Sequence, residues 1–260
     1  MIDVFIDTNI LHSRNEQLDK ALFVEKLKEI IGEIEINDIY TEIKILLPRM
    51  VLNELYQQQL EMFDDLNKRL ENVSMPNMQY DRAFNYGEYL ETIFKKAIME
   101  LKQGIVAVEV VDFPASDRLN SIISRAIKKE PPFEGKEKHS DKGFKDVLIW
   151  ESIKEYKEKH INDIIVFYCN DNLLASNALR KEFKEDFRDE IYIEQKNALM
   201  KRLTTLCNKN ETVKTFSSQL NERIESCLSH NNEILYDLLM EDPVWNDGDV
   251  ISDFEVKKVN

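Results

Sequence analysis

Five short apolar runs, separated by stretches with helical periodicity, constrain the fold of this 260-residue chain more than any other feature of it. The runs are Val4 to Ile6, Ile43 to Leu47, Ile105 to Val111, Ile164 to Tyr168 and Ile191 to Ile193, and each reads as a strand. Helical patterns fill the intervals, at Gln17 to Glu33, Arg49 to Leu70, Asp81 to Lys102, Ser116 to Lys129, Gly143 to Lys159 and Asn172 to Lys184. Strands that alternate with helices build a mostly parallel sheet covered on both faces, because each crossover helix buries its apolar stripe on the sheet. Pro48 fits the first turn of the second helix, where a missing N–H costs nothing. Pro131, Pro132 and Gly135 mark a loop.

After Ile193 the pattern changes to helix upon helix: Gln195 to Asn208, Val213 to Leu228 and Asn231 to Met240, then an acidic tail that carries Trp245. The expected organisation is therefore a sheet domain over residues 1–194 and a helical extension over 195–260. The extension is the expected docking segment for a protein partner, and a homo-oligomer is compatible with it. No internal repeat or low-complexity linker interrupts the chain.

Composition narrows the class. A hydrophobic fraction of 43% supports a real core, and no run of ~18 apolar residues exists to span a bilayer. The opening MIDVFID resembles neither a charged leader nor a secretion signal, so the expectation is a cytoplasmic protein with no membrane partner. The three cysteines, Cys169, Cys207 and Cys227, are odd in number and widely spaced, which argues against a disulfide framework or a zinc site. A net charge of -14 argues against a protein that coats nucleic acid nonspecifically. A local basic stretch is still present: seven lysines and arginines against four acids between Arg125 and Lys145. It is equally consistent with a solvated loop and with a phosphate-binding one. With six glycines in the chain, no glycine-rich phosphate cradle is available.

Four carboxylates stand at matching places in this pattern. Asp7 follows the first apolar run directly and precedes Thr8 and Asn9; a carboxylate just past a strand end sits where open α/β sheets bind ligands. Capping of the next helix is its alternative role. Glu54 lies in the second turn of the helix that begins at Pro48, flanked by Val51, Leu52 and Leu55 of the buried stripe, at the margin of the core or on the surface. Asp146 has Ile149, Trp150 and Ile153 at i+3, i+4 and i+7, so it points with the apolar face. An ionised carboxylate there costs several kcal/mol unless a cation compensates it, whether a metal ion or Lys142 or Lys145. Asp171, after Cys169 and Asn170, repeats the strand-end geometry of Asp7, with Asx capping as the alternative.

In this order, the four pieces resemble the PIN-domain nucleases, particularly the larger bacterial PIN-like proteins. They are the strand-Asp7-Thr8-Asn9 opening, Glu54 in Pro-x-x-Val-Leu-x-Glu-Leu, Gly143-x-x-Asp146-x-x-Ile149-Trp150, and Asn170-Asp171. The resemblance spans roughly residues 1 to 194. It implies a three-layer α/β/α fold around a mostly parallel five-stranded sheet, with the helical extension appended. It also implies a metal-dependent nuclease in which Asp7, Glu54, Asp146 and Asp171 gather one or two Mg²⁺ or Mn²⁺ ions, hard cations that suit oxygen ligands. Asp7 and Asp146 are the foremost ligands, with Glu54 and Asp171 binding a second ion or orienting water.

Arg125, Lys142 and Lys145 are the candidate phosphate contacts. Asn9 is expected to fix the Asp7 turn, and His139 to be a plain loop histidine. Cys169 departs from the family, which usually has Thr or Ser two residues before the last aspartate. RNA is the more expected substrate than DNA, although no base-reading module or aromatic stacking motif is evident in the sequence. The acidic balance and long helical insertions, especially Asp81 to Lys102, fit an effector with a guided or partner-delivered substrate better than a small free toxin, and toxin-antitoxin or phage-defence membership is the hypothesis they suggest. Of the rival readings, a haloacid-dehalogenase-type phosphatase needs a second acid two residues after the first, and Asn9 occupies that place. A non-catalytic PIN-like scaffold that binds a protein or nucleic-acid partner is the other.

Overall fold

A computed structural model describes residues 1–13, 17–71, 84–133, 143–195 and 198–209, with the helical positions 215, 218–222, 224 and 226. Five strands, β1 (Ile2–Ile6), β2 (Ile43–Pro48), β3 (Ala107–Val111), β4 (Ile164–Tyr168) and β5 (Tyr192–Glu194), form one sheet. Their spatial order is β3-β2-β1-β4-β5, and every neighbouring pair is parallel. β1 is the central strand, and all five of its residues are buried, as expected of a strand covered on both faces. Register sets Val4 opposite Ile45 on one side and Val166 on the other.

The helices are α1 (Thr8–Leu11), α2 (Phe23–Ile36), α3 (Arg49–Glu71), α4 (Tyr86–Lys102), α5 (Leu119–Lys128), α6 (Phe144–Lys159) and α7 (Asn177–Phe187). Right-handed crossovers put α2, α3 and α4 on the face passed from β1 outward to β3. The return to β4 and β5 carries α5, α6 and α7 to the other face, which completes the three layers. Phe5 packs edge-on against Tyr156 of α6 with ring centroids 5.4 Å apart, and Trp150 lies 6.1 Å from Phe183 of α7. Truncating Phe5, which is fully buried, to alanine costs on the order of 3–5 kcal/mol through lost burial and the cavity left behind.

Several helix bounds differ from the periodicity, each for a local reason. α2 begins at Phe23 rather than Gln17 because the carbonyls of Leu18 and Lys20 are taken by the Tyr86 hydroxyl (3.0 Å) and the Gln59 amide (2.8 Å), side chains of the neighbouring helices. The helix expected from Ser116 opens as a single 3₁₀ turn, Ser116–Arg118, and ends at Lys129 in the left-handed conformation. The helix expected from Asn172 starts five residues later, after a turn described below. A short helix, α1, was not apparent from the sequence pattern. Of the expected helix at Asp81 to Lys102, residues 81–83 lie outside the described residues; α4 is capped by Asn85, whose side-chain oxygen accepts the Glu88 N–H at 3.3 Å.

The chain divides into two compact units, Met1–Cys207 and Asn208–Asn260. In the first, the helical residues beyond Glu194 contribute Leu199, Leu203, Leu206 and Cys207 to the same core as the sheet. In the second, the helix expected at Asn231 to Met240 and the tail with Trp245 lie outside the described residues. Among the described residues no helix is long and apolar enough to cross a membrane.

Candidate functional site

The strand order reverses at β1, since the chain first builds outward through β2 and β3 and then returns to β4 on the other side. A crevice at the carboxyl ends of β1 and β4 follows from that reversal. Asp7 closes β1 there, with its N–H donating to the Tyr168 carbonyl at 3.0 Å, so the ends of the two strands are stitched together at the first acid. It occupies the position just before α1 but makes no side-chain cap hydrogen bond, which sets the helix-capping reading aside. The Asp7 side chain is buried, and burial pushes its carboxyl up to about 7. The nearby Thr8 amide pulls the other way, and the charges of Asp146, Glu54 and Asp171 add to the rise. The three other sequence-predicted acids therefore all act on Asp7.

Glu54 is half-buried in α3 and held from two sides. The Thr8 hydroxyl donates to its Oε2 at 2.7 Å and the Lys145 ammonium to its Oε1 at 2.9 Å. Lys145, expected as a phosphate contact, thus reaches the crevice through a carboxylate while its side chain stays 57% exposed. Asp146 lies in the first turn of α6, where the positive end of the helix dipole favours negative charge. Gly143 starts that helix with φ +99°, and a Cβ on it would fall 2.7 Å from the Pro132 carbonyl and 2.8 Å from the Phe133 Cα. Glycine alone fits this close approach, which fixes where α6 begins and hence where Asp146 stands.

Asp171 does what its Asx alternative anticipated while also contributing charge to the crevice. Its Oδ1 accepts the amides of Leu173 at 2.6 Å and Leu174 at 3.0 Å, and this turn delays α7 until after Ser176. Asn9 bridges to the same loop, its Oδ1 accepting the Asn170 N–H at 3.1 Å. Cys169 is buried, and burial followed by the Asp7 charge pushes its thiol up to about 12. It stays a neutral, weak donor, 3.9 Å from the Asp171 carbonyl.

Arg125 is placed otherwise than expected. It is buried between α5, α6 and α7, where its guanidinium donates to both Glu182 carboxylate oxygens, at 2.9 Å for one pair, and to the Pro131 carbonyl. Glu151 pairs with it at 3.5 Å and with Arg118 at 3.0 Å. Burial opposes the charge of Glu182, yet the hydrogen bonds from Arg125 and Lys154 hold it down to about 2. Arg125 is a structural hub whose two terminal nitrogens are committed to Glu182 and the Pro131 carbonyl, not a free phosphate contact. Lys142 and His139, with Lys136, Lys138 and Asp141 of the basic stretch, lie outside the described residues.

Sequence reasoning missed the Thr8–Glu54 bond and the ion-pair hub on Glu182 and Glu151. Both join residues more than 25 positions apart, and a buried glutamate inside a helical pattern carries no local mark. It also missed the acid at the opposite end of β1. Asp3 is buried with neither carboxylate oxygen hydrogen-bonded, and burial, then Asp163, push it up to about 6.

An all-oxygen donor set around a buried acid is of the kind that suits a hard divalent cation, and Asp7 is a carboxylate whose charge both burial and its neighbours oppose. Among the described residues, three such side chains are not drawn to common ligand distance. Glu54 is engaged by Lys145 and Thr8, and Asp171 by two backbone amides.

A five-stranded parallel sheet covered by helices, with Asp7 and Asp171 beyond the carboxyl ends of the adjacent strands β1 and β4, frames the site. Comparison with protein families is decisive: the PIN domain profile matches residues 4–174, and the chain belongs to the PIN-domain family. Members of this family are usually nucleases and generally use divalent metal ions. Comparisons with curated proteins and with solved structures gave no match.

Proposed function

We propose that this chain is a divalent-metal-dependent nuclease that hydrolyses phosphodiester bonds, acting as an endoribonuclease with Mg²⁺ or Mn²⁺. The observation that carries the reading is Asp7, buried at the carboxyl end of the central strand and pushed up to about 7 by burial and by Asp146, Glu54 and Asp171. Such a group is unsatisfied when ionised and is stabilised by a cation among the four acids.

Asp7 and Asp146 would hold the ion, with Glu54 and Asp171 binding at its margin or orienting water. Bound there, a divalent cation offsets the charge that builds on the phosphate oxygens and makes water a stronger acid. The chain's own residues set the stage for that chemistry. The dipole of α6 supports the charge of Asp146, and the paired amides of Leu173 and Leu174 fix the orientation of Asp171. Thr8 orients Glu54. Lys145, exposed at the rim and tied to Glu54, can pass its ammonium to an incoming phosphate without a change of fold. Imidazole has little part in this scheme: His12 is turned to Gln58, with Nδ1 and Oε1 2.8 Å apart.

Labelled single-stranded RNA and DNA, incubated with Mn²⁺, Mg²⁺ or EDTA, test the reading when the native chain is compared with folded Asp7→Asn and Asp146→Asn variants. Metal-dependent cleavage lost in both variants supports it and identifies the polymer. Nucleic-acid binding without cleavage under any condition supports the scaffold instead. The biological role we propose is a cytoplasmic toxin or phage-defence effector whose partner docks on residues 195–260. Pull-down and growth assays test that role, and absence of both a stable partner and toxicity on expression counts against it.

A further inference from the structure

We propose that a cleft beside the carboxylates is a nucleobase subsite, built to take one unstacked base of a single-stranded RNA next to the scissile phosphate. This inference rests on the nuclease reading above and deepens it. The cleft has a volume of about 630 Å³, within the range of small-molecule sites. It opens between α2, the end of β4, α1 and the helical residues that follow β5.

Its position ties it to the site. Asn9 lies two residues after Asp7, and Asn170 directly precedes Asp171. The hydrogen bond between them, 3.1 Å from the Asn170 N–H to the Asn9 Oδ1, joins two lining residues that flank two of the acids in sequence. An occupant of the cleft therefore touches the segments that carry Asp7 and Asp171.

Its walls fit a base better than any other part of a nucleotide. Tyr168, Ile30 and Met200 are half-buried and line it with one aromatic and two apolar surfaces, the setting in which single-stranded bases stack. Its charged rim belongs to α2, where Lys26 is paired with Glu29 at 2.7 Å and Glu33 adds a second carboxylate. Glu33 shares the cleft with Tyr168, whose phenol is raised by burial and then by the Glu33 charge. Carboxylates repel a phosphate but accept hydrogen bonds from the exocyclic amino groups of cytosine, adenine and guanine. The occupant is accordingly a neutral base with an amino edge, preferred over uracil, and its phosphate stays outside toward the acids and Lys145. A duplex cannot present such a base without unpairing it, so the cleft selects single strands.

Fluorescence anisotropy in EDTA with labelled C₆, A₆ and U₆ RNA hexamers tests this on the native chain, Tyr168→Leu and Glu33→Gln, alongside Mn²⁺-dependent cleavage of the same hexamers. The native chain should bind C₆ and A₆ more tightly than U₆. Tyr168→Leu should weaken C₆ and A₆ by about fivefold or more, the low end of base–aromatic stacking at 1.36 kcal/mol per tenfold. Glu33→Gln should narrow the preference over U₆ while the thermal midpoint stays unchanged. Photo-crosslinking of the native chain to a hexamer carrying 5-bromocytidine covers the case in which Tyr168→Leu does not fold, with adducts expected at Tyr168 or Met200. Variants that bind and cleave every hexamer as the native chain does, or adducts that map away from the cleft, overturn the subsite and leave the nuclease standing. A native chain that neither binds nor cleaves RNA overturns both.

Discussion

Replacing Asp7 with asparagine should stabilise the metal-free protein at alkaline pH, an inversion of the usual effect of mutating a buried polar residue. The folded chain holds the Asp7 proton up to about 7, whereas in an unfolded chain the carboxyl ionises near 3.8. Unfolding therefore releases a proton between these values, and stability falls as pH rises through the window and levels off above it. The interval is a little over three pH units, and at 1.36 kcal/mol each the native chain forfeits ~4 kcal/mol by pH 8. Asp7→Asn removes that loss. Urea denaturation of both proteins in EDTA from pH 5 to 9 measures it as a difference curve. The variant's advantage should grow by ~1.4 kcal/mol per pH unit and flatten near 7. Asp3→Asn makes the internal control, since Asp3 is raised only to about 6 and its own difference curve should flatten a unit earlier. Saturating Mn²⁺ at pH 8 should then stabilise the native chain and leave Asp7→Asn nearly unmoved. A difference curve for Asp7→Asn that is flat between pH 5 and 7 would refute the argument that burial and the other three acids hold this proton.

Three further perturbations address other parts of the site. Gly143→Ala meets the Pro132 carbonyl and requires a left-handed backbone, so it should cost at least ~1–3 kcal/mol in chemical denaturation and depress cleavage by moving Asp146. Lys145→Met frees Glu54 from an exposed pair worth at most ~1 kcal/mol, so Mn²⁺ affinity by calorimetry should rise up to about fivefold while KM for RNA increases; unchanged values of both would remove Lys145 from the site. Arg125→Ala leaves Glu182 to Lys154 and Glu151 to Arg118 and should cost ~1–3 kcal/mol by thermal or chemical melting, whereas a loss of RNA affinity with stability intact would restore Arg125 as a phosphate contact.

The strands and the order of the acids were legible because both leave local marks. A buried strand is an unbroken apolar run, and an acid that ends such a run announces a ligand-facing position before any tertiary contact is known. Helix starts were less legible, since Asp171 settles one through the Leu173 and Leu174 amides, and Leu18 and Lys20 settle another through Tyr86 and Gln59. Arg125 shows the deeper limit. Its place in a lysine-rich stretch suggested solvent and phosphate, but its partners Glu151 and Glu182 lie on two later helices, and charge composition along the chain says nothing of which charges meet. Tyr168 is a similar case: a residue that reads as the last of a core strand turns out to border a cleft whose other walls come from α2 and residues 199–200.

The pairing of β1 with β4 also has a consequence for synthesis. The central strand precedes the other described elements, yet the neighbour on one of its sides begins at Ile164, opposite Ile2. Asp146 and Asp171, too, leave the ribosome long after Asp7. Contacts this distant along the chain form late, because the intervening loop must be closed before they are rewarded. A nascent chain short of β4 thus has Asp7 at the end of a strand with an open flank and no assembled acid site. The four acids therefore come together only after Asp171 has emerged and β4 has paired with β1, late in the synthesis of this domain.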